Sequence, residues 1–130
     1  MTIDDKFLDA LQGKAKESPR LRMHYDLRNT PEDQSQRILN ALEPGTVLPI
    51  HRHMASSETV FLLRGRLDEI FYDGEGRETE RYHLDPLKGV YGCDIPSRQW
   101  HSIEVFEPSV IIEMKDGPYR PEDSEFLEKP

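Results

Sequence analysis

The sequence predicts an all-β domain, a β-sandwich or small barrel, with a short helix in front of it. Two observations carry that expectation. From Gln36 onward, short apolar runs alternate with turn signals at near-regular spacing, the pattern of many short strands folded over one core. The Asp73-Gly74 pair separates two such runs and is the strongest hairpin signal in the chain. At 130 residues there is room for one hydrophobic core, so one domain is expected. Its parts are residues 1–30, a helix and first strand packed on the outside, and residues 31–130, the barrel with its C-terminal tail.

Residues 2–17 place Ile3, Phe7, Leu8, Leu11 and Ala15 near one helical face, and Pro19 lies just past the end. Residues 21–27 read as a first strand. Asn29-Thr30-Pro31-Glu32-Asp33 is turn chemistry, and Thr30 as cap with Pro31 at the first position predicts a helical turn there. Strands are expected over 38–42, 47–53, 59–63, 67–72, 77–84, 89–95, 101–106 and 110–115, broken by Glu43-Pro44-Gly45, Asp73-Gly74-Glu75-Gly76 and Pro108-Ser109. Residues 116–130 form a tail rich in proline and acidic groups, with Tyr119, Phe126 and Leu127 as its available anchors.

Asp and Glu outnumber Lys and Arg by 25 to 17, so the surface carries a negative field. Nucleic acid is not an expected partner, because phosphate binding needs a basic patch and no Lys/Arg cluster of useful size is present. The opening residues are charged rather than apolar, and no later run approaches a membrane span. A soluble cytoplasmic protein with no membrane partner is therefore expected. Cys93 is the only cysteine, which excludes an intramolecular disulfide and agrees with a reducing compartment.

The chemistry concentrates between Gly45 and Gly65. His51 and His53 stand two residues apart, so in an extended segment both imidazoles point to one side of a sheet. Glu58 follows on the next strand, and His101 begins a later one, five residues after Pro96. Alternation puts His51 and His53 on a face with Val47 and Pro49, Glu58 with Val60 and Leu62, and His101 with Ile103 and Val105. Each group is thus in line with apolar neighbours that would line an interior. Gly45 permits a tight turn into the ligand strand, and Gly65 a sharp turn into the next. Three imidazoles and one carboxylate suit a divalent first-row transition metal such as Zn, Ni, Fe or Mn. The competing account, scattered surface or core histidines, does not explain the joint spacing.

These residues carry a resemblance. Gly45 to Gly65 matches the first cupin motif at each of its defining positions, and Pro96 to His101 matches the heart of the second. The second match departs from the motif at Arg98, where a glycine is usual, at Val105, where the motif closes on asparagine, and in its leading glycine, offset to Gly89 or Gly92. Through Gln36-Arg37-Ile38-Leu39-Asn40-Ala41-Leu42-Glu43-Pro44-Gly45 and Glu113-Met114-Lys115-Asp116-Gly117-Pro118-Tyr119, the chain resembles the WbuC-type cupin-fold metalloproteins. The resemblance implies a jelly roll (double-stranded β-helix), a metal held by His51, His53, Glu58 and His101, and an association with bacterial surface polysaccharide synthesis. It supplies no reaction.

Beyond the ligand set, Arg37 is the residue expected to bind substrate. Its strand leads through the Glu43-Pro44-Gly45 turn into the ligand strand, and a guanidinium holds a carboxylate or phosphate bidentately. Arg98 is a weaker candidate of the same kind. Glu113 and Lys115 share a strand face opposite Val110, Ile112 and Met114, either on the exterior or at the barrel mouth. His24 and His83 read as half-exposed strand residues, Cys93 as a small buried hydrophobe, and Trp100 as packing on the face opposite His101. Two functions compete: a metal-dependent enzyme on a small polar substrate such as a sugar or nucleotide sugar, and a non-catalytic module that binds or senses a small anionic ligand. Trp100, Phe106 and the first helix offer apolar cover for a homodimer.

Overall fold

The computed structural model of the protein describes residues 1–127; the end of the expected tail, 128–130, lies outside the described residues. The chain opens at Asp4, whose carboxylate accepts the Phe7 amide at 2.9 Å and caps helix α1 (Asp5–Glu17). Eight strands follow: β1 (Arg22–Asp26), β2 (Gln36–Leu42), β3 (His51–His53), β4 (Glu58–Tyr72), β5 (Glu78–Leu84), β6 (Gly92–Ile95), β7 (Trp100–Lys115) and β8 (Ser124–Phe126).

Two of these strands are long and belong to both walls of a sandwich. The N-terminal half of β4 pairs with β6 and with the C-terminal half of β7, which continues to β2 and β1. The C-terminal half of β4 pairs with β5 and with the N-terminal half of β7, which continues through β3 to β8. One hydrogen-bonded sheet is thereby curled into two facing walls, the jelly roll expected of this sequence. The corner lies where the β4–β7 register slips, between Leu62 and Leu67.

That corner corrects the expected strand list. Residues 59–63 and 67–72 are one strand, as are 101–106 and 110–115, because Gly65 and Pro108-Ser109 make bulges rather than turns. Gly65 has φ +95° and packs so closely that a Cβ would sit 2.3 Å from Ser109 Oγ and 2.4 Å from the Pro108 carbonyl. The bulge also resets which side chains face inward: Glu58, Val60 and Leu62 before it, Leu67, Glu69 and Phe71 after it. Of residues 47–53 only His51–His53 pair as a strand, and Val47 is exposed. The segment at Thr30 and Pro31 is a turn without helix. There Thr30 Oγ1 accepts the Glu32 amide at 3.2 Å, as the expected cap would, and the Asp33 carboxylate receives the amides of Asn29 and Thr30. Gly45 does make the tight turn, with φ +93° and the Thr46 amide donating to the Glu43 carbonyl.

Two apolar layers result. Inside the barrel Leu42, Val60, Leu62, Leu67, Phe71, Leu84, Ile95, Val105 and Ile111 form the core. Outside it, α1 lays Leu8, Leu11 and Ala15 on Leu39, Ala41 and Val110, with Phe7, Met23, Leu27 and Ile112 around them. Arg64, at the corner, reaches Asp9 at 2.7 Å and ties the helix to β4. The tail is held by polar contacts rather than by Tyr119 and Phe126, both largely exposed. Asp123 accepts the Ala55 amide at 2.6 Å and the Ser56 hydroxyl at 3.0 Å, and β8 pairs with β3.

Replacing Gly65 by Ala forces a methyl into occupied space at an unfavourable φ, so Gly65→Ala should cost about 3 kcal/mol or more. Gly89→Ala, also at positive φ but with nothing within 4 Å, should cost about 1 kcal/mol. Urea unfolding of the two variants checks the difference.

Candidate metal centre

His51 and His53 alternate inward from β3, His101 lies directly opposite His51 on β7, and all three sit on one wall. Their ligand atoms fall within 4.8 Å of one another. Glu58 stands on the other wall, paired with Lys115 and Ile95, and reaches across the barrel. Its Oε2 lies 3.4 Å from His53 Nε2 and its Oε1 lies 3.3 Å from His101 Nε2. The expected quartet is therefore brought together in space.

The outer nitrogen of each ring is tethered. His51 Nδ1 contacts the Pro49 carbonyl at 3.0 Å, His101 Nδ1 the Gln99 carbonyl at 2.8 Å, and His53 Nδ1 the Ser124 hydroxyl at 3.2 Å. A carbonyl only accepts, so the Nδ1 atoms of His51 and His101 donate to theirs, which fixes both rings with Nε2 turned inward. In contrast, His53 Nε2, His101 Nε2 and Glu58 Oε2 are buried without any hydrogen-bond partner among the described residues. Rings fixed from behind with unsatisfied atoms in front are what a metal ion requires.

The charges agree. Burial opposes ionisation of Glu58, but the His101 and His53 rings and the Lys115 ammonium, 3.8 Å away, outweigh it and hold the carboxyl well below its usual range. Burial, reinforced by His101, pushes His51 down to about 4, so the ring is neutral and able to coordinate at pH 7. Behind the quartet lies a cavity of about 180 Å³ with Asn40, Leu48, Val60, Ile103 and Ile111 in its walls. Two further carboxyls face it. Burial, then the charge of Glu58, pushes Glu113 up to about 7 and raises Glu69 well above the ordinary range.

Arg37 is not at this site. Leu39 and Ala41, two and four residues on, pack under α1, and Arg37 shares their outward face of β2. Its guanidinium donates to the Leu27 carbonyl at 3.0 Å and approaches Asp33 at 3.7 Å. The β2 side chain that faces the cavity is Asn40. Glu113 and Lys115 turn inward, the second of the two placements open to them, because α1 covers the apolar face of their strand. Arg98 adopts φ +69°, the backbone of the glycine it replaces, and its amide donates to the His53 carbonyl at 2.7 Å. Trp100 lies beneath the Arg52 guanidinium, and Cys93 packs on the inner core with its thiol pushed up to about 12 by burial. His24 and His83 stay outside the cluster, His83 on Asp68 at 2.7 Å. Glu69 and Ser124 went unnoticed in sequence. A Ser-x-Phe alternation near the tail would have been the signal for β8.

The fold is a jelly roll of the cupin type, with a histidine-rich cluster between its walls. Solved structures agree. Capsular polysaccharide assembling protein CapF from Staphylococcus aureus superposes with TM-score 0.72 and 23% identity, over 85% of this chain and 33% of that one. The match to oxalate decarboxylase from Bacillus subtilis has TM-score 0.63 and 18% identity, over 82% and 27%. For KdgF from Halomonas sp. the values are 0.60 and 16%, over 81% and 86%. The chain spans about a third of the length of the CapF chain it matches. No curated protein matches it in sequence. By sequence the chain belongs to the family described as a domain of unknown function, DUF6016, whose model matches residues 3–84. No helix among the described residues is long and apolar enough to cross a membrane.

The raised Glu113 makes a signed prediction. A carboxyl whose folded pKa exceeds its unfolded value stabilises the fold below about 4.5, and that contribution is lost as pH rises through about 7. Gln does not titrate, so the metal-free Glu113→Gln variant should gain stability relative to wild type between pH 5 and pH 8. Thermal unfolding of both proteins across that range checks the sign.

Proposed function

We propose that the chain is a WbuC-type metal-dependent cupin in which His51, His53, Glu58 and His101 hold one divalent transition metal, with Zn, Ni, Fe and Mn all suited to the donors. It acts on a small polar substrate such as a sugar or nucleotide sugar of bacterial surface polysaccharide synthesis. The observation that carries the reading is the convergence of buried, unpartnered His53 Nε2, His101 Nε2 and Glu58 Oε2. Each such atom costs about 1–3 kcal/mol when left unsatisfied, and a single cation relieves all of them. The CapF likeness, to a protein described as assembling capsular polysaccharide, supports the choice of substrate.

His51, His53, Glu58 and His101 would hold the metal, which would supply Lewis acidity toward a substrate oxygen or a water. The chain's own groups do the rest. Leu48, Val60, Ile103 and Ile111 exclude bulk water from the cavity, and Glu69 and Glu113, kept protonated longer than usual, offer carboxyl protons to a ligand lying in it. Lys115 offsets the charge of Glu58 from the outer side.

Anaerobic purification and elemental analysis should find close to one metal per chain. His53→Ala should lose it, and Ser124→Ala, which frees the back of the His53 ring, should weaken affinity about 10–100-fold. Arg37→Ala should keep both metal and fold. A wild-type protein that takes up no metal from any of the four ions sinks the reading. Retained ligand binding without turnover across nucleotide sugars would leave the binding module in its place.

A homodimer is proposed as well. Helix α1 is used up within its own chain, and Trp100 and Phe106 lie under the Arg52 and Arg66 guanidiniums, so the cover falls to Phe61 and Leu63, each about two-fifths exposed on the outward face of β4. Light scattering at micromolar concentration should return twice the chain mass; a monomer mass across ordinary salt excludes it.

A further inference from the structure

The cavity behind the histidines has a neighbour across β2. Asn40 and Glu113 line it, and the same two residues line a second recess of about 340 Å³ that opens over β1, where Arg20, Arg22, His24 and Ile38 complete the walls. The register explains the shared wall. His24 stands opposite Asn40, Ile38 opposite Glu113, and Glu113 opposite Val60, so β1, β2, β7 and β4 present one unbroken concave face.

This recess is cationic in a chain of net charge −8. Arg22 donates only to neutral oxygens, Thr46 Oγ1 at 3.3 Å and the Val47 carbonyl at 3.1 Å. The carboxylate on the same face of β1, Asp26, is taken by Arg28 at 2.7 Å. Burial and the neighbouring charge of Arg20 both lower the pKa of Arg22, and Glu113, the carboxyl in the walls of the recess, is itself pushed up to about 7. On the wall shared by the two cavities, Asn40 Oδ1 is buried and accepts no hydrogen bond among the described residues. An acceptor left open in the middle, cations at one end and imidazoles at the other describe a ligand with hydroxyls between an anionic group and an oxygen donor.

We propose that the recess formed by Arg20, Arg22 and His24 is a subsite for the carboxylate or phosphate end of an elongated, hydroxylated ligand whose other end reaches the histidine cluster. The far end of this assignment rests on the metal reading; the anionic end does not. Strand β1 lies three strand spacings, about 14 Å, from β4, so bare dicarboxylates are too short to occupy both ends. A single sugar acid or sugar phosphate, also shorter than that span, carries the chemistry of the anionic end and probes that end alone.

Calorimetric titration of glucuronate, glucose 1-phosphate and uncharged glucose into the full chain, zinc-loaded and metal-free, tests it. At least one charged sugar should bind about 10-fold or more tightly than glucose, and the tighter of the two identifies carboxylate or phosphate as the group recognised. Arg20→Glu and Arg22→Gln should each abolish most of that preference while leaving metal content and glucose binding unchanged. Arg20 is exposed, so its variant keeps the test alive if loss of the Arg22 contacts unfolds the loop at Thr46. Equal binding of all three sugars, an unchanged preference in Arg20→Glu, or no binding of either charged sugar at millimolar concentration overturns the subsite. If only the metal reading fails, the charge preference and its dependence on Arg20 persist in the metal-free protein. If only the subsite fails, metal content stands.

Discussion

A carboxylate on one wall faces three imidazoles on the other, and the barrel is built so that they meet. Glu58 is about as buried as a core leucine, which is expensive for a charge unless opposite partners surround it. Those partners come from β3 and β7 across the barrel and from Lys115 beside it. Bringing Glu58 and His101 together requires β4 and β7 to pair through a corner, so that each contributes one half to each wall. The close approach of Gly65 to Ser109 at that corner is thus a condition of the site, although neither residue is near a histidine in sequence.

How much of this was legible follows from how many faces of each strand are covered. Where one face of a strand is apolar and inward, alternation works: His51 with His53, Glu58 with Val60, and His101 with Ile103 point where period two says they should. In β2 and the end of β7, helix α1 buries the outer face too, and the apolar side of the strand is then the wrong guide to the interior. Arg37 was expected to bind substrate beside the metal and lies on the outer face. Glu113 and Lys115 lie inside, against an apolar face that packs under the helix. Glu69 was missed for a different reason. The bulge at Gly65 shifts the inward set by one residue, and no reading that treats 59–63 and 67–72 as separate strands carries the phase across.

Arg98 shows a motif position kept in shape by a residue that does not favour it. A left-handed backbone costs a non-glycine residue about 1–2 kcal/mol, and here the turn is closed by the Arg98 amide on the His53 carbonyl. The departure from the cupin pattern changes the side chain offered at the loop and leaves the path of the backbone toward His101 intact.

The Ser124 hydroxyl behind His53 belongs to β8, the last strand among the described residues. His53 is synthesised long before it, and β3 has only His51 in register with β7 until β8 arrives along its open edge. On the ribosome, therefore, the histidine cluster stays unfinished until residues 124–126 have emerged.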